Sequence, residues 1–177
     1  DYFFFPDDDI QMDTAAINAL FEAMRRYRLQ IAQPVLSMSY YTWRHTLQDR
    51  YCKLRYINFV EMMVSCFSRE ALNKVLFTFN ENETGWGTET HWPVLIDASQ
   101  RDMAVIDEVS VVHTRPIQSG QAIHNRELAA YLRKYNLSTK VLHYDCLPSE
   151  SVYCCDRNTF RELCKTLGYW IGTERIS

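Results

Sequence analysis

The chain has 177 residues and a mass of 20.9 kDa, the size of one domain. Its 47% hydrophobic and 14% aromatic residues suffice for a packed core, while 5 glycines and 5 prolines exclude collagen-like, linker-like or disordered material. A net charge of -3 and a pI of about 6.0 exclude a general nucleic-acid backbone binder, and no run approaches a membrane helix of roughly 20 apolar residues.

In chain order, residues 2–5 are an apolar run ended by Pro6 and predict a buried strand. Asp7, Asp8 and Asp9 follow. From Asp13 a helix is predicted, because Ile17, Leu20, Phe21 and Met24 recur at i, i+3, i+4 and i+7. Arg25, Arg26 and Arg28 suit its carboxyl-end dipole. Residues 31–36 predict a second strand, which Pro34 would confine to a sheet edge. Residues 37–50 are polar and aromatic without period and read as loop. Residues 56–67 read as one strand, followed by a helix over 68–77, a turn-rich loop over 80–87 and a helix over 88–96. Strands are predicted at 103–107 and 109–113, with Asp107 and Glu108 in the turn between them. A helix over 125–135, a strand over 140–144 and a helix over 156–167 stopped by Gly168 complete the pattern. Strands alternating with helices, without internal repeat, give a single α/β domain over 1–177.

The six cysteines, Cys52, Cys66, Cys146, Cys154, Cys155 and Cys164, contain no C-x-x-C pair, so zinc-ribbon and thioredoxin sites have no spacing behind them. Asn82-Glu83-Thr84 and Asn136-Leu137-Ser138 match the glycosylation sequon, a pattern that recurs by chance. A reducing, cytoplasmic setting is expected. The opening Asp1 and aromatic run lack the basic segment of a signal peptide and do not begin with Met, so a piece of a longer protein is expected.

Three carboxylates at a strand end repel one another unless something positive neutralises them. Mg²⁺ or Mn²⁺ prefers such oxygen ligands and bridges to substrate phosphates, so a strand delivering Asp-x-Asp reads as a metal-diphosphate site. Two other readings stay open. Asp9 or Asp13 would cap the next helix in a solvated acidic turn. Alternatively, Asp7 would be the nucleophile of a metal-dependent phosphohydrolase of the haloacid-dehalogenase type, although Ile10 and Gln11 stand where that pattern has Thr or Gly.

Further segments occur in order: Asn58-Phe59-Val60-Glu61-Met62, Phe67-Ser68-Arg69-Glu70-Ala71-Leu72, Gly85-Trp86-Gly87-Thr88-Glu89, and Val111-Val112-His113-Thr114-Arg115-Pro116. With Phe5-Pro6-Asp7-Asp8-Asp9, this set resembles an uncharacterised family of plants and bacteria related to GT-A glycosyltransferases, over about residues 1–120. The resemblance implies a GT-A-like mixed sheet flanked by helices, and transfer of a sugar from a nucleotide-sugar donor to a glycan or small-molecule acceptor. It implies Mn²⁺ or Mg²⁺ as cofactor. Asp7 and Asp9 would flank the metal and the donor diphosphate, Asp8 would lie near the donor, and His113 would complete the metal site. Gly85-Trp86-Gly87-Thr88-Glu89 resembles the acceptor-side loop of galactosyltransferase-like enzymes. There Trp86 and Gly87 would meet the sugar and Glu89 would be the general base.

Glu61, in what reads as an apolar strand, is expected to pair with an arginine or to be a second candidate acid. Arg44, Arg69 and Arg115 are candidates for binding diphosphate. Tyr40, Tyr41 and Trp43 are candidates for aromatic contact with sugar. GT-A enzymes hold the nucleotide base mainly with elements before the Asp-x-Asp strand. That strand comes first here, so the nucleotide-binding half is expected to be missing from this chain. A non-catalytic carbohydrate-binding domain is the remaining alternative.

Overall fold

The computed structural model describes residues 1–37, 43–116 and 121–149. Its strands are β1 (Tyr2–Pro6), β2 (Ile10–Gln11), β3 (Ile31–Leu36), β4 (Cys52–Ile57), β5 (Val64–Ser68), β6 (Met103–His113) and β7 (His143–Pro148). They form one sheet in the order β1-β5-β3-β6-β4-β7, with the two-residue β2 beside β6. Every pairing is antiparallel except β3 with β6. The helices are α1 (Thr14–Tyr27), α2 (Arg69–Val75), α3 (Trp92–Leu95) and α4 (Gln121–Tyr135). The fold is therefore mixed α/β, a mostly antiparallel sheet flanked by helices. No helix among the described residues is long and apolar enough to cross a membrane.

The period-2 alternation of the central strands divides the core between the two faces of the sheet. Ala32, Cys66, Ala104 and Ile106 pack under α1 with Leu20, Ala23 and Met24. Their neighbours Ile31, Phe67 and Met103 point the other way, toward Ala71 and Val75 of α2 and Trp92 of α3. The α1 helix begins where the sequence predicts. Asp13 is its N-cap and accepts the Ala16 N–H at 2.7 Å, and Arg28 closes it in the left-handed conformation at φ 54°.

Several predicted elements are corrected. β3 is not an edge strand: all six of its residues are buried between β5 and β6. Pro34 is tolerated because the β5 ladder covers only Ile31 and Ala32, and the register with β6 slips just after Pro34. Residues 56–67 are not one strand. β4 and β5 lie on opposite sides of the β3–β6 pair, so the chain between them crosses the end of the sheet.

Residues 103–113 form one strand with no turn at Asp107 and Glu108. Pro34 faces Ile106 and Val35 faces Ser110, so residues 107–109 are extra residues of a bulge. The expected helix over 88–96 is a 3-10 turn, Thr88–Thr90, followed by the four-residue α3. The helix expected from 125 begins at Gln121, and the strand expected at 140–144 is β7, several residues later. The helix expected over 156–167 lies outside the described residues, as do Cys154, Cys155 and Cys164. Cys52, Cys66 and Cys146 are free thiols.

Candidate functional site

β1 ends at Pro6, and the Asp7 N–H then bonds the Met63 carbonyl at 2.8 Å. A turn closed by the Ile10 N–H on the Asp7 carbonyl returns the chain as β2, whose Ile10 faces His113 at the end of β6. This short return brings the acidic cluster against residues 104 positions away. His113 Nε2 lies 3.2 Å from Asp9 Oδ2, and the Thr114 N–H and hydroxyl both donate to the Asp9 carbonyl at 2.9 Å. Arg115 completes the cluster, with Nε 3.3 Å from Asp9 Oδ2 and its terminal nitrogen donating to Asp8. The Asp7 carboxyl is pushed above its ordinary range by burial and by repulsion from Asp9 and Asp8, with His113 opposing.

The second wall comes from the 85–89 segment. Asn82 holds it by accepting the Gly85 N–H at 2.6 Å and donating to the Trp86 carbonyl at 3.0 Å. From α4, Glu127 accepts the N–H and hydroxyl of Thr84. Gly85 has φ +75°, and a Cβ there would lie 1.9 Å from the Met62 methyl carbon. Trp86 thereby stacks on His124 of α4 at 4.7 Å between ring centroids and 12° between planes, with Trp43 nearby at 6.5 Å. Gly87, at φ +97°, donates its N–H to Glu89 Oε2 at 3.0 Å. Glu89 is 6% exposed, and burial pushes its carboxyl up to about 7 against the N–H groups of Glu89 and Gly87.

Glu61 sits in the crossing between β4 and β5, not in a strand. Its N–H donates to the buried Gln33 side chain at 2.6 Å and its carboxylate accepts the Thr46 hydroxyl. These contacts come from a neighbouring strand and from the 3-10 turn Arg44–Thr46.

Together these walls enclose a cleft of about 320 Å³. Asp7, Asp8, Asp9, Glu61, Trp86, Glu89 and His113 all line it, and Gly87 acts behind the lining by orienting Glu89. Of the three candidate arginines, Arg115 lines the cleft. Arg69 instead pairs with Asp1 and lies 5.1 Å over the Phe3 ring, and Arg44 is not among the lining residues. Trp43 lines the cleft, while Tyr40 and Tyr41 lie outside the described residues. The predicted turn pair Asp107–Glu108 takes no part: Asp107 is buried and bound by Arg55.

Sequence reasoning missed His124, Met62 and Thr84 as lining residues, and Thr46 and Glu127 as supports. The turn-forming Asn82 and Thr84 carried a local signal. His124 carried none, since only the docking of α4 brings it to Trp86.

One end of the cleft is thus acidic with a histidine, and the other is aromatic with a buried acid. Asp9 and His113 offer oxygen and nitrogen donors 3.2 Å apart, close to the roughly 3 Å between adjacent ligands whose metal bonds are about 2.1 Å. As they stand, no three His, Cys, Asp or Glu side chains among the described residues group tightly enough to hold a cation, and Asp8 is turned to Arg115. No protein-family model, curated protein or solved structure matches the chain.

Proposed function

We propose that this chain is the catalytic, acceptor-side portion of a metal-dependent glycosyltransferase related to the GT-A enzymes, taking a nucleotide-sugar donor and a glycan or small-molecule acceptor. The observation that carries the reading is one cleft lined by the acidic strand end, by His113 and by the Trp86–Glu89 segment, which are far apart in the chain. In this reading Asp7, Asp9 and His113 would have to draw closer together than they stand to hold Mn²⁺ or Mg²⁺, a donor set of carboxylates and imidazole that would suit Mn²⁺. Held there, it would supply Lewis-acid stabilisation of the negative charge on a departing nucleoside diphosphate.

The chain's own groups supply the rest. Trp86, held flat by His124, presents an apolar face on which a sugar ring stacks. Glu89 takes the proton from the acceptor hydroxyl. A carboxyl raised to about 7 is a stronger base than an ordinary one and is still ionised in about half of the molecules at neutral pH. The Gly87 N–H anchors Glu89 Oε2. Glu61, locked by Thr46 and Gln33, keeps a second acid at the cleft wall.

Thermal-shift titration with Mn²⁺ and a panel of nucleoside diphosphates, beside Asp9→Ala, tests the reading. A ligand binding only the folded state at 100 times its Kd adds about 2.7 kcal/mol of stability. The expected result is stabilisation by a diphosphate only when Mn²⁺ is present, lost in Asp9→Ala. No shift under any combination would overturn the donor site. Release of phosphate from an aryl phosphate, abolished in Asp7→Asn, would replace it by the phosphohydrolase reading.

A further inference from the structure

β7 is the outer strand beside β4, and their antiparallel match contains two register slips. Leu54 lies opposite Leu147, and both pack into the α1 side of the core. Side chains alternate along a strand, so Arg55 and its partner Cys146 turn to the opposite face. The slip between Cys52 and Leu54 sets Cys52 opposite Pro148, which shares the face of Cys146. The two cysteines are therefore diagonal neighbours on one face of the sheet. Their sulfurs meet there. The Cys52 thiol donates a hydrogen bond to Cys146, and this bond, burial and the nearby Asp49 and Asp107 carboxylates all push it up. Cys52 is buried, whereas Cys146 is half-buried. Cys66 lies under α1 on the other face, with β3 and β6 between its strand and β4.

We propose that Cys52 and Cys146 form a reversible thiol–disulfide pair, which a small disulfide such as oxidised glutathione closes into a covalent staple between β4 and β7. Neither residue lines the cleft, so this role stands apart from the glycosyltransferase reading. Cys146 is the more exposed sulfur and takes the first step. As a thiolate it attacks glutathione disulfide, forming a mixed disulfide as one glutathione thiolate leaves. Cys52, kept as a thiol and shielded from the reagent by burial, then gives up its proton and attacks the Cys146 sulfur. The second glutathione leaves. Two protein thiols are oxidised, one disulfide is reduced, and the two protons end on the two glutathiones. β7 is only half-buried along its length, so it can give the small shift that brings two touching sulfurs to bonding distance. Closing the chain between residues 52 and 146 also restricts the unfolded state.

Incubation of the folded chain with oxidised glutathione, followed by alkylation and peptide mapping by mass spectrometry, tests this. The expected product is a Cys52–Cys146 link, about 2 Da lighter than the two thiols, with Cys66 alkylated. Fragment ions separate Cys146 from Cys154 and Cys155. Dithiothreitol is expected to reverse the link. The oxidised chain is expected to melt about 5–10 °C above the reduced one. Its β7 amides are expected to exchange about tenfold more slowly. In Cys52→Ala the mixed disulfide has no resolving thiol, so glutathione on Cys146 is expected to rise about tenfold over wild type. In Cys146→Ala, Cys52 is expected to stay reduced. The wild-type map depends on no variant folding, and melting curves check both variants. Cys52 left reduced in wild type, or linked to any other cysteine, would overturn the pair. Equal β7 exchange in oxidised and reduced wild type would overturn the staple.

Discussion

Glu89 and Gly85 show how single residues set the character of the cleft. Burial favours the neutral form of Glu89, raising its carboxyl from an ordinary 4.5 to about 7. The folded state then holds this proton more tightly than the unfolded state does. Stability from that proton is complete below pH 4.5 and is lost as the pH rises through about 7. The difference corresponds to roughly 3 kcal/mol at 1.36 kcal/mol per pH unit. Glu89→Gln, which has no proton to lose, is expected to gain Tm over wild type from pH 5 to about pH 7 and to hold that gain above it, and a constant difference across the range would refute the burial account. Under the proposed glycosyltransferase reading, the same variant is expected to lose glycosyl transfer. At Gly85, any side chain meets both a positive φ and the Met62 methyl group. Gly85→Ala is expected to cost about 1–3 kcal/mol in urea denaturation and to alter Trp86 fluorescence, because the stack on His124 depends on this turn.

At the scale of elements, the bulge in β6 explains the clearest misreading of the sequence. Two adjacent acids in an apolar run look like a turn, because an unpaired buried carboxylate is costly. The structure keeps Asp107 inside by giving it a partner. Arg55 of β4 binds it through Nε at 2.8 Å and a terminal nitrogen at 2.9 Å, and the Asp49 N–H adds a third bond at 2.7 Å. Arg55 also donates to the carbonyls of His45 and Leu47, so one buried ion pair ties β4, β6 and the 45–49 segment together. Arg55→Met is expected to cost about 3–5 kcal/mol, since it strands Asp107. Arg55→Met combined with Asp107→Leu is expected to recover most of that in the denaturation midpoint. Recovery would show that the pair organises the segment more than it stabilises the fold. The α1 helix, by contrast, was legible throughout, because its stripe and its Asp13 cap are local properties.

Across the whole molecule, the sheet order decides where stability lies. β3 and β6 form the long parallel pair at its centre, buried on both faces by α1 on one side and α2 with α3 on the other. β1 and β7 are the outer strands. Amide hydrogen exchange is expected to be slowest at Ile31, Ala32, Ala104 and Val105, and at least tenfold faster along β7, whose residues are only half buried. Equal protection of β7 and β3 would contradict this order. The cleft opens at one end of the sheet, where the β4–β5 crossing, the β1–β2 turn and the end of β6 meet. α4 reaches it from outside the sheet through Trp86–His124, Glu127–Thr84 and the contact of His91 Nδ1 with the Tyr131 hydroxyl at 3.0 Å.

The sequence by itself determined the α/β class, the α1 helix, the position of the acidic cluster after the first strand and the chemical types that line the cleft. Each of these is written in neighbouring residues: a period, a cap, a run of carboxylates, a glycine pair. Only the tertiary structure decided that Pro34 lies in a buried strand, that Glu61 sits on a crossing, and that residues 103–113 are unbroken. It also decided which arginine of three faces the cluster, and that His124 backs Trp86. Those outcomes depend on strand order and register, which bring together residues far apart in the chain. The free energy of burying them is shared among partners that no local window contains.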